Sequence, residues 1–162
     1  MKKISLTLEF SIYNTLKELP SEDMALLEKA ISAMKNAYAP YSNFKVGAAV
    51  LLTNGEVFLG NNQENAAYPS GLCAERVALF YASSIYPDVP VKTLAVTAAS
   101  VDFIINDPVT PCGSCRQVMA ETEGRGKTPM KIIMMGEHGK IYVTEGVINL
   151  LPLMFQAEQL KK

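Results

Sequence analysis

Charged side chains are scarce in this sequence, and neither sign predominates. Asp, Glu, Lys and Arg make up 19% of its 162 residues and hydrophobic residues 49%, whereas about a quarter of an ordinary soluble domain is charged. That composition excludes an intrinsically disordered chain. Fifteen basic and sixteen acidic residues give a net charge of −1, and the longest basic runs are Lys2-Lys3 and Lys161-Lys162. Because polynucleotide binding needs a basic excess or a basic stripe, no nucleic-acid partner is expected.

Long apolar runs are missing as well. No uninterrupted apolar segment approaches the roughly 20 residues needed to span a bilayer. Ser5, Thr7 and Glu9 interrupt the apolar residues that follow Met1-Lys2-Lys3, so the start does not have the apolar stretch of a secretory signal. We therefore expect a cytoplasmic protein without a membrane partner.

The spacing of the apolar residues predicts one domain over residues 1–162 that mixes helices and strands. Residues 3–12 (KISLTLEFSI) alternate between polar and apolar side chains, the period of a strand with one buried face, and residues 1–20 are treated as an N-terminal extension. Asn54-Gly55 is a strong hairpin signal. A central sheet covered by helices, in the α/β class, fits this order of elements. The other predicted elements are helices within 21–39, 73–84, 112–123 and 145–151, strands at 44–53, 56–60, 91–98, 130–135 and 140–144, and a loop at 101–111.

Cysteine is the residue whose scarcity is most informative. Three cysteines are an odd number and too few for a disulfide scaffold. They fall in Cys73-Ala74-Glu75-Arg76 and Pro111-Cys112-Gly113-Ser114-Cys115-Arg116, each where a loop turns into a predicted helix. A catalytic zinc takes three protein ligands and leaves a fourth position for water. Cys112 and Cys115, on the first turn of one helix, can approach one ion together, and Cys73 can supply the third ligand.

Other interpretations of these thiols stay open at this point. Cys112-x-x-Cys115 could be a thioredoxin-like dithiol, since a helix N-terminus lowers the pKa of a thiol, or the thiols could be inert core residues. A structural zinc would normally need a fourth protein ligand, and the single histidine, His138, lies in a glycine-flanked turn. The spacing favours a three-cysteine zinc site over these alternatives.

Glu75 indicates that such a site would be catalytic. It lies two residues after a candidate ligand, where a carboxylate can accept a proton from water and deliver it elsewhere. The alternative is a solvated glutamate in the first turn of a helix, a position that the helix dipole alone favours.

These segments resemble the small zinc-dependent cytidine deaminases of the three-cysteine, homotetrameric type, whose superfamily combines a ligand-x-Glu segment with a later Pro-Cys-x-x-Cys. The likeness runs from about residue 30 to residue 160. It includes AYAPYSNFKVGAAVLLTNG (37–55), NQENAAYPSGLCAERVAL (62–79), TPCGSCRQV (110–118) and LLPLMF (150–155). The resemblance implies a three-layer α/β/α fold with a central mixed sheet, to which the N-terminal strand is an addition.

The activity implied by the resemblance is hydrolytic deamination of cytidine and 2′-deoxycytidine in pyrimidine salvage. It implies one Zn²⁺ per subunit, held by Cys73, Cys112 and Cys115, and a homotetramer whose sites are shared between subunits. The low charged fraction agrees with surface covered by other subunits. Two other functions remain open: deamination of a modified cytosine nucleoside or a free base, and a zinc-stabilised interaction module without activity.

The resemblance also assigns roles around the metal. Glu75 would carry protons to the pyrimidine N3 and to the leaving ammonia. The other assignments are Asn62 and Glu64 to the sugar 3′-hydroxyl, the backbone of Ala66 to the base carbonyl, Phe44 to the base or sugar, Tyr68 to the pocket wall, and Phe155 to a neighbour's site. Each of these residues could instead have a purely structural role. Phe44 could be a core residue, Asn62 and Glu64 could belong to an ordinary polar loop, and Tyr68-Pro69 could form a turn.

Arg76 is expected to support the metal site from outside. Three thiolates around Zn²⁺ carry excess negative charge, and a guanidinium that donates to the thiolate of Cys112 or Cys115 would withdraw some of it. The alternative is a pair with a surface acid. The chain departs from the family pattern in its first ~20 residues and in the loop at 101–110, which is a few residues longer than usual.

Overall fold

In the computed structural model, which describes residues 1–160, six strands form one mixed sheet. The strands lie in the order β1-β6-β5-β4-β2-β3; β4 and β5 are parallel, and the other neighbouring pairs are antiparallel. Their bounds are β1 Ser11–Tyr13, β2 Phe44–Leu52, β3 Val57–Asn61, β4 Val91–Ser100, β5 Lys131–Met135 and β6 Ile141–Glu145.

Three α-helices within residues 1–160 cover the two faces of this sheet. They are α1 (Ser21–Met34), α2 (Ala74–Ile85) and α3 (Gly113–Gly126). One core cluster joins α1 to one face, and a second joins α2 and α3 to the other. Alternate residues of β2 supply both clusters, so this strand is apolar along its whole inner length. The predicted three-layer α/β/α fold with a central mixed sheet is confirmed. None of the helices within residues 1–160 has the length and apolar character needed to cross a bilayer.

Two glycines let helices approach the sheet closely. A Cβ atom at Gly47 would lie 2.1 Å from the carbonyl oxygen of Ala30 in α1. A Cβ atom at Gly60 would lie 2.3 Å from the carbonyl oxygen of Ala74. Both distances are shorter than van der Waals contact, so only glycine fits. Gly60 thereby lets the start of α2, directly after Cys73, pack closely against β3.

The N-terminal strand exists but is shorter than predicted, and its apolar face is not buried. β1 covers only Ser11–Tyr13, and Ile4, Leu6 and Leu8 are 79%, 55% and 47% exposed. β1 pairs antiparallel with β6, which ends at Glu145 before the chain turns at Gly146 with φ 81°. Residues before Glu9 therefore extend past the end of the partner strand, and alternation in the sequence cannot reveal how long that partner is.

One helix end agrees with the prediction and another differs from it. α1 ends at Met34, before Pro40 as predicted. α3 continues through Gly124 to Gly126 instead of breaking at the first glycine. A glycine inside a helix costs only about 1 kcal/mol relative to alanine, which packing elsewhere can offset.

The connection at 101–111 is fastened to the turn between β5 and β6. The Ile105 side chain is buried, and the Ile105 carbonyl accepts hydrogen bonds from Glu137 N–H (2.9 Å) and His138 N–H (3.1 Å). A Cβ atom at Gly136 would lie 2.6 Å from the Ile105 and Asp107 carbonyl oxygens, so glycine permits the close approach. This anchoring holds the chain that leads into α3.

Candidate active site

A cavity of about 610 Å³ opens where β2 begins and where the loops before α2 and α3 meet. The starts of both helices form its floor, and the segment 62–72 forms one wall. The lining residues are Tyr41, Ser42, Phe44, Val46, Asn62, Gln63, Glu64, Asn65, Tyr68, Gly71, Leu72, Cys73, Glu75, Arg76, Val109, Thr110 and Cys112. Its volume suits a small organic molecule.

All three cysteines meet at the floor of the cavity. Their sulfurs lie within 4.8 Å of one another. Cys112 Sγ is 3.8 Å from Cys73 Sγ and 3.5 Å from Cys115 Sγ. Cys73 precedes the first residue of α2 and Cys112 the first residue of α3, so both cysteines lie at the positive ends of helix dipoles. The expected convergence of the two segments is found.

The cluster fits a zinc ion. Zn–S bonds of about 2.3 Å in a tetrahedron place pairs of sulfurs about 3.8 Å apart, close to the separations seen here. The donor set consists of sulfur, which zinc accepts and hard cations such as Mg²⁺ do not. A disulfide would need sulfurs about 2.05 Å apart, and all three cysteines are free.

The thiols influence one another's ionisation. A hydrogen bond from Cys115 lowers the pKa of Cys73 to about 5. Hydrogen bonds from Arg76 and Cys112 act in the same direction, whereas burial opposes the shift. The bond to Cys73, together with burial and the charge of Glu75, raises the pKa of Cys115. The thiolate form is therefore favoured at Cys73 and disfavoured at Cys115, so metal binding has to displace the proton of Cys115.

Glu75 is the second residue of α2 and is 4% exposed. It lies against the sulfur cluster and also lines the cavity. Burial, together with the negative charge of Cys73, raises the pKa of Glu75, while a hydrogen bond from Cys115 and the charge of Arg76 oppose the shift. This is not a solvated glutamate on a helix surface. Its carboxyl group faces both the cluster and the space that a ligand would fill.

Arg76 contacts the cluster from the side of α2. Its Nη2 donates to Cys73 Sγ over 3.6 Å, rather than to Cys112 or Cys115, the acceptors that we expected. Cys73 and Arg76 are three residues apart at the start of one helix, and residues at that spacing share a face. That spacing was a signal in the sequence for the observed pair. The Arg76 Nε is buried and has no hydrogen-bond partner within residues 1–160.

Asn62 and Glu64 both line the cavity but are held differently. The buried Asn62 amide accepts from Val46 N–H (2.7 Å) and donates to the Phe44 carbonyl (2.9 Å). An amide nitrogen carries two hydrogens, so one remains for a ligand. The Glu64 carboxylate lies at the rim and accepts hydrogen bonds from Tyr41 N–H (2.9 Å), Ser42 N–H (3.3 Å) and the Ser42 hydroxyl.

Aromatic side chains flank the mouth of the cavity. Phe44 lines it and packs on Phe103 with ring centroids 6.5 Å apart. Tyr68 also lines the cavity and meets Tyr41 edge to face, with centroids 6.3 Å apart. Phe44 is therefore not buried in the core.

The last two predicted contact residues, Ala66 and Phe155, are not among the residues that line the cavity. Ala66 is exposed between the lining residues Asn65 and Tyr68, and within residues 1–160 its N–H makes no hydrogen bond. The Phe155 side chain is 55% exposed and does not line this cavity, while the Phe155 carbonyl accepts from Gln117 Nε2 (2.8 Å).

Sequence reasoning missed residues that hold the site from outside. Arg116 donates from Nε to the Pro111 carbonyl (2.8 Å), from Nη1 to the Leu150 carbonyl (2.8 Å) and from Nη2 to Thr110 Oγ1 (3.1 Å). It thus fixes the loop that presents Cys112. Its place directly after Cys115 was visible in the sequence, but its acceptors, 5 to 34 residues away, were not.

The chain is similar to characterised proteins over most of its length. The sequence profile described as the cytidine and deoxycytidylate deaminase zinc-binding region matches residues 20–130. A cytidine deaminase of Halalkalibacterium halodurans is 43% identical over 135 residues, which is 83% of this chain and 95% of that protein. A cytidine deaminase of Sporosarcina psychrophila is 42% identical and covers 83% of this chain and 92% of its own length.

Solved structures match the fold as well. The crystal structure of cytidine deaminase from Burkholderia pseudomallei superposes with a TM-score of 0.71 and 41% identity, over 85% of this chain and 100% of that chain. The structure of cytidine deaminase from Mycobacterium tuberculosis gives a TM-score of 0.62 and 32% identity, over 82% of this chain and 95% of that chain.

Proposed function

The chain belongs to the cytidine and deoxycytidylate deaminase family, and we propose that it hydrolyses cytidine and 2′-deoxycytidine to the uridine nucleosides and ammonia. The observation that carries this proposal is the placement of three convergent sulfurs and the buried Glu75 at the floor of a cavity large enough for a nucleoside.

The metal site has a defined task in this reaction. Cys73, Cys112 and Cys115 would hold the zinc ion, which when bound supplies a Lewis acid that makes water nucleophilic at neutral pH. Arg76 donates to one of the ligating sulfurs and draws negative charge from it. Arg116 keeps the Cys112 loop in place.

Glu75 would act as the general acid–base. Its carboxylate accepts a proton from the attacking water and passes it to N3 of the pyrimidine. It then accepts the second proton, from the hydroxyl that the water has added to C4, and delivers it to the amino group that leaves as ammonia. Each transfer needs a group that stays in one place while it binds and releases protons. Burial of Glu75 between the cluster and the cavity provides that position.

The walls of the cavity would recognise the nucleoside. Glu64 accepts a hydrogen bond from the sugar 3′-hydroxyl, and the second amide hydrogen of Asn62 donates to the same oxygen. The N–H of Ala66 donates to the base carbonyl, while Phe44 and Tyr68 pack on the two sides of the substrate. All five residues lie at or beside the cavity mouth.

The charges of the lining favour a nucleoside over a nucleotide. Among the described residues that line the cavity, Arg76 is the one cation, and it donates to Cys73. Glu64 and Glu75 are acidic. A 5′-phosphate would find no uncommitted cation among these residues of the chain, and an uncompensated charge costs about 3–5 kcal/mol when it is buried.

A substrate panel followed at 280–290 nm tests this proposal. Cytidine and 2′-deoxycytidine should be deaminated, and kcat/KM for CMP should be lower by at least about 10²-fold, the ratio that follows from that charge penalty. Cytosine and a base-modified cytidine complete the panel. Turnover of CMP as fast as that of cytidine would contradict the nucleoside assignment, and absence of turnover on every cytosine compound would contradict the activity itself.

Oligomerisation and location are parts of the same proposal. The Phe155 side chain is exposed and does not line its own chain's cavity, which supports a role in the site of a neighbouring subunit of a homotetramer. Three thiol ligands remain reduced in the cytoplasm, which supports activity in that compartment.

Arg76→Ala should lower activity and weaken zinc retention without unfolding the chain. The guanidinium donates to the Cys73 sulfur from outside the ligand set, and such partners are typically worth about 10–100-fold in affinity or activity. Steady-state kinetics, together with the rate at which a chelator removes zinc, measure both effects.

Arg125→Ala is the matched control for this variant. Its guanidinium donates to the Pro87 carbonyl at an exposed site near the end of α3. The control should behave as wild type. Wild-type turnover and zinc loss in Arg76→Ala would show that the hydrogen bond to Cys73 supports neither property.

A further inference from the structure

We infer that Ser42 is a positioning residue for sugar recognition, because its hydroxyl holds the Glu64 carboxylate in the orientation that receives the 3′-hydroxyl. This inference rests on the proposed function, which takes Glu64 to bind that hydroxyl. Ser42 lies two residues before β2 and lines the rim of the cavity.

The Glu64 carboxylate is bound by one short stretch of chain. Tyr41 N–H donates to Oε2 over 2.9 Å, Ser42 N–H donates to the same oxygen over 3.3 Å, and the Ser42 hydroxyl donates to Oε1. An ionised carboxylate offers about four acceptor positions. Three are filled, so one remains for a ligand hydroxyl.

The Ser42 hydroxyl is itself held in one direction. Its oxygen accepts a hydrogen bond from Phe44 N–H (3.1 Å) while its hydrogen points to Glu64. The same hydroxyl therefore joins the start of β2, where Phe44 lines the cavity, to the acid on the opposite segment. A rotating hydroxyl on an exposed serine would not give this link.

The backbone around Glu64 is also held by hydrogen bonds, so only the conformation of its side chain can still vary. Glu64 N–H donates to the Tyr38 carbonyl (2.8 Å), and Gln63 exchanges two hydrogen bonds with Leu72. A glutamate side chain on a fixed backbone still has several rotamers, and ordering it on binding costs entropy. Ser42 removes that cost before the substrate arrives.

The same contacts also favour the ionised form of Glu64. The hydrogen bond from the Ser42 hydroxyl lowers the pKa of Glu64 below its ordinary value. Burial opposes this shift, while the hydrogen bonds from the Tyr41 and Ser42 N–H groups add to it. The carboxylate is thus an acceptor at neutral pH, as binding of a hydroxyl requires.

Kinetics of Ser42→Ala on cytidine and 3′-deoxycytidine test the inference. A contact made equally to substrate and transition state affects KM and leaves kcat unchanged. We expect KM for cytidine to rise roughly 10–100-fold, the effect of one hydrogen bond to a charged group, with kcat within about 2-fold. Kinetic constants for 3′-deoxycytidine should not change, because it lacks the hydroxyl that Glu64 receives. Ser42→Thr should restore the low KM.

Two further variants separate the possible failures. Ser32→Ala makes the same change on an exposed face of α1 and should be silent. Glu64→Ala should abolish the preference for cytidine over 3′-deoxycytidine. If Glu64→Ala keeps that preference, the sugar contact in the proposed function is wrong. If Glu64→Ala loses it while Ser42→Ala keeps the wild-type KM, the inference about Ser42 alone is overturned. An equal loss on both substrates in Ser42→Ala would also overturn it, since that result indicates general damage to the site.

Discussion

Glu75→Gln should retain the fold and the zinc ion and lose at least about 10²–10⁴-fold in kcat, the range typical of general acid–base catalysis. Glutamine has nearly the same shape as glutamate, so the packing of a residue that is 4% exposed is preserved. Its amide cannot take a proton from water and deliver it to N3 of the base or to the leaving ammonia. Metal analysis, circular dichroism and the rate of cytidine turnover give the three readouts.

The matched control for this variant is Glu28→Gln on the exposed side of α1. It carries the same change of charge far from the sulfur cluster, so its kcat should equal that of the wild type. A second readout is substrate binding, since Glu75→Gln should still bind cytidine. Near-normal turnover by Glu75→Gln would show that Glu75 is not the general acid–base. If the variant lost its zinc, the loss of activity would show that Glu75 is needed for metal binding.

Local signals in the sequence predicted local structure well. Asn54-Gly55 lies in the turn that joins β2 and β3. Gly55 adopts φ 89° there and its N–H donates to the Leu52 carbonyl over 3.0 Å, so the local need for a glycine was visible in the sequence. The apolar alternation of residues 3–12 was also a correct sign of a strand. It could not show that β6 ends at Glu145, so it overestimated both the length and the burial of β1. Strand length is a property of the pair, and the partner lies more than 130 residues away in the chain.

The metal cluster could be predicted from the sequence, whereas the side-chain contacts that support the site were not predicted correctly. Both cysteine segments lie at helix starts, so their convergence could be expected from ligand chemistry and spacing. The sulfur that Arg76 contacts depends on its position three residues after Cys73 on α2, a helical relation that we overlooked. The hydroxyl of Ser42 meets Glu64 across 22 residues of sequence. Nothing in the local pattern around Ser42 indicates that contact.

Asn62 shows that residue type alone is an incomplete guide. Its chemistry suits a ligand hydroxyl, yet its side chain already bonds the backbone at both Phe44 and Val46. Removing it would therefore disturb the start of β2 as well as the sugar contact that we propose. For that reason Glu64, whose carboxylate lies at the rim and retains a free acceptor position, is the better residue for testing sugar recognition.

Removal of the zinc ion should abolish turnover and expose three thiols per chain. All of the chain's cysteines lie in the cluster, so a thiol reagent counts the ligands without background. The zinc-loaded enzyme should react slowly, and chelator treatment should release three thiols with a fall in activity of at least about 10³-fold, because the remaining residues supply no Lewis acid. The melting temperature should fall too, since an ion that binds only the folded state stabilises that state.

Zn²⁺ added back at one equivalent per chain should restore activity and protect all three thiols together, whereas Mg²⁺ should do neither, because it prefers oxygen ligands. The dithiol alternative predicts a different result. A thioredoxin-like Cys112–Cys115 pair would lose two thiols on mild oxidation, leave Cys73 reactive, and respond to oxidants rather than to chelators. Simultaneous protection of Cys73, Cys112 and Cys115 by one metal equivalent is consistent only with three thiolates on one ion. Full activity in zinc-free protein, or three reactive thiols in active enzyme, would contradict the metal site.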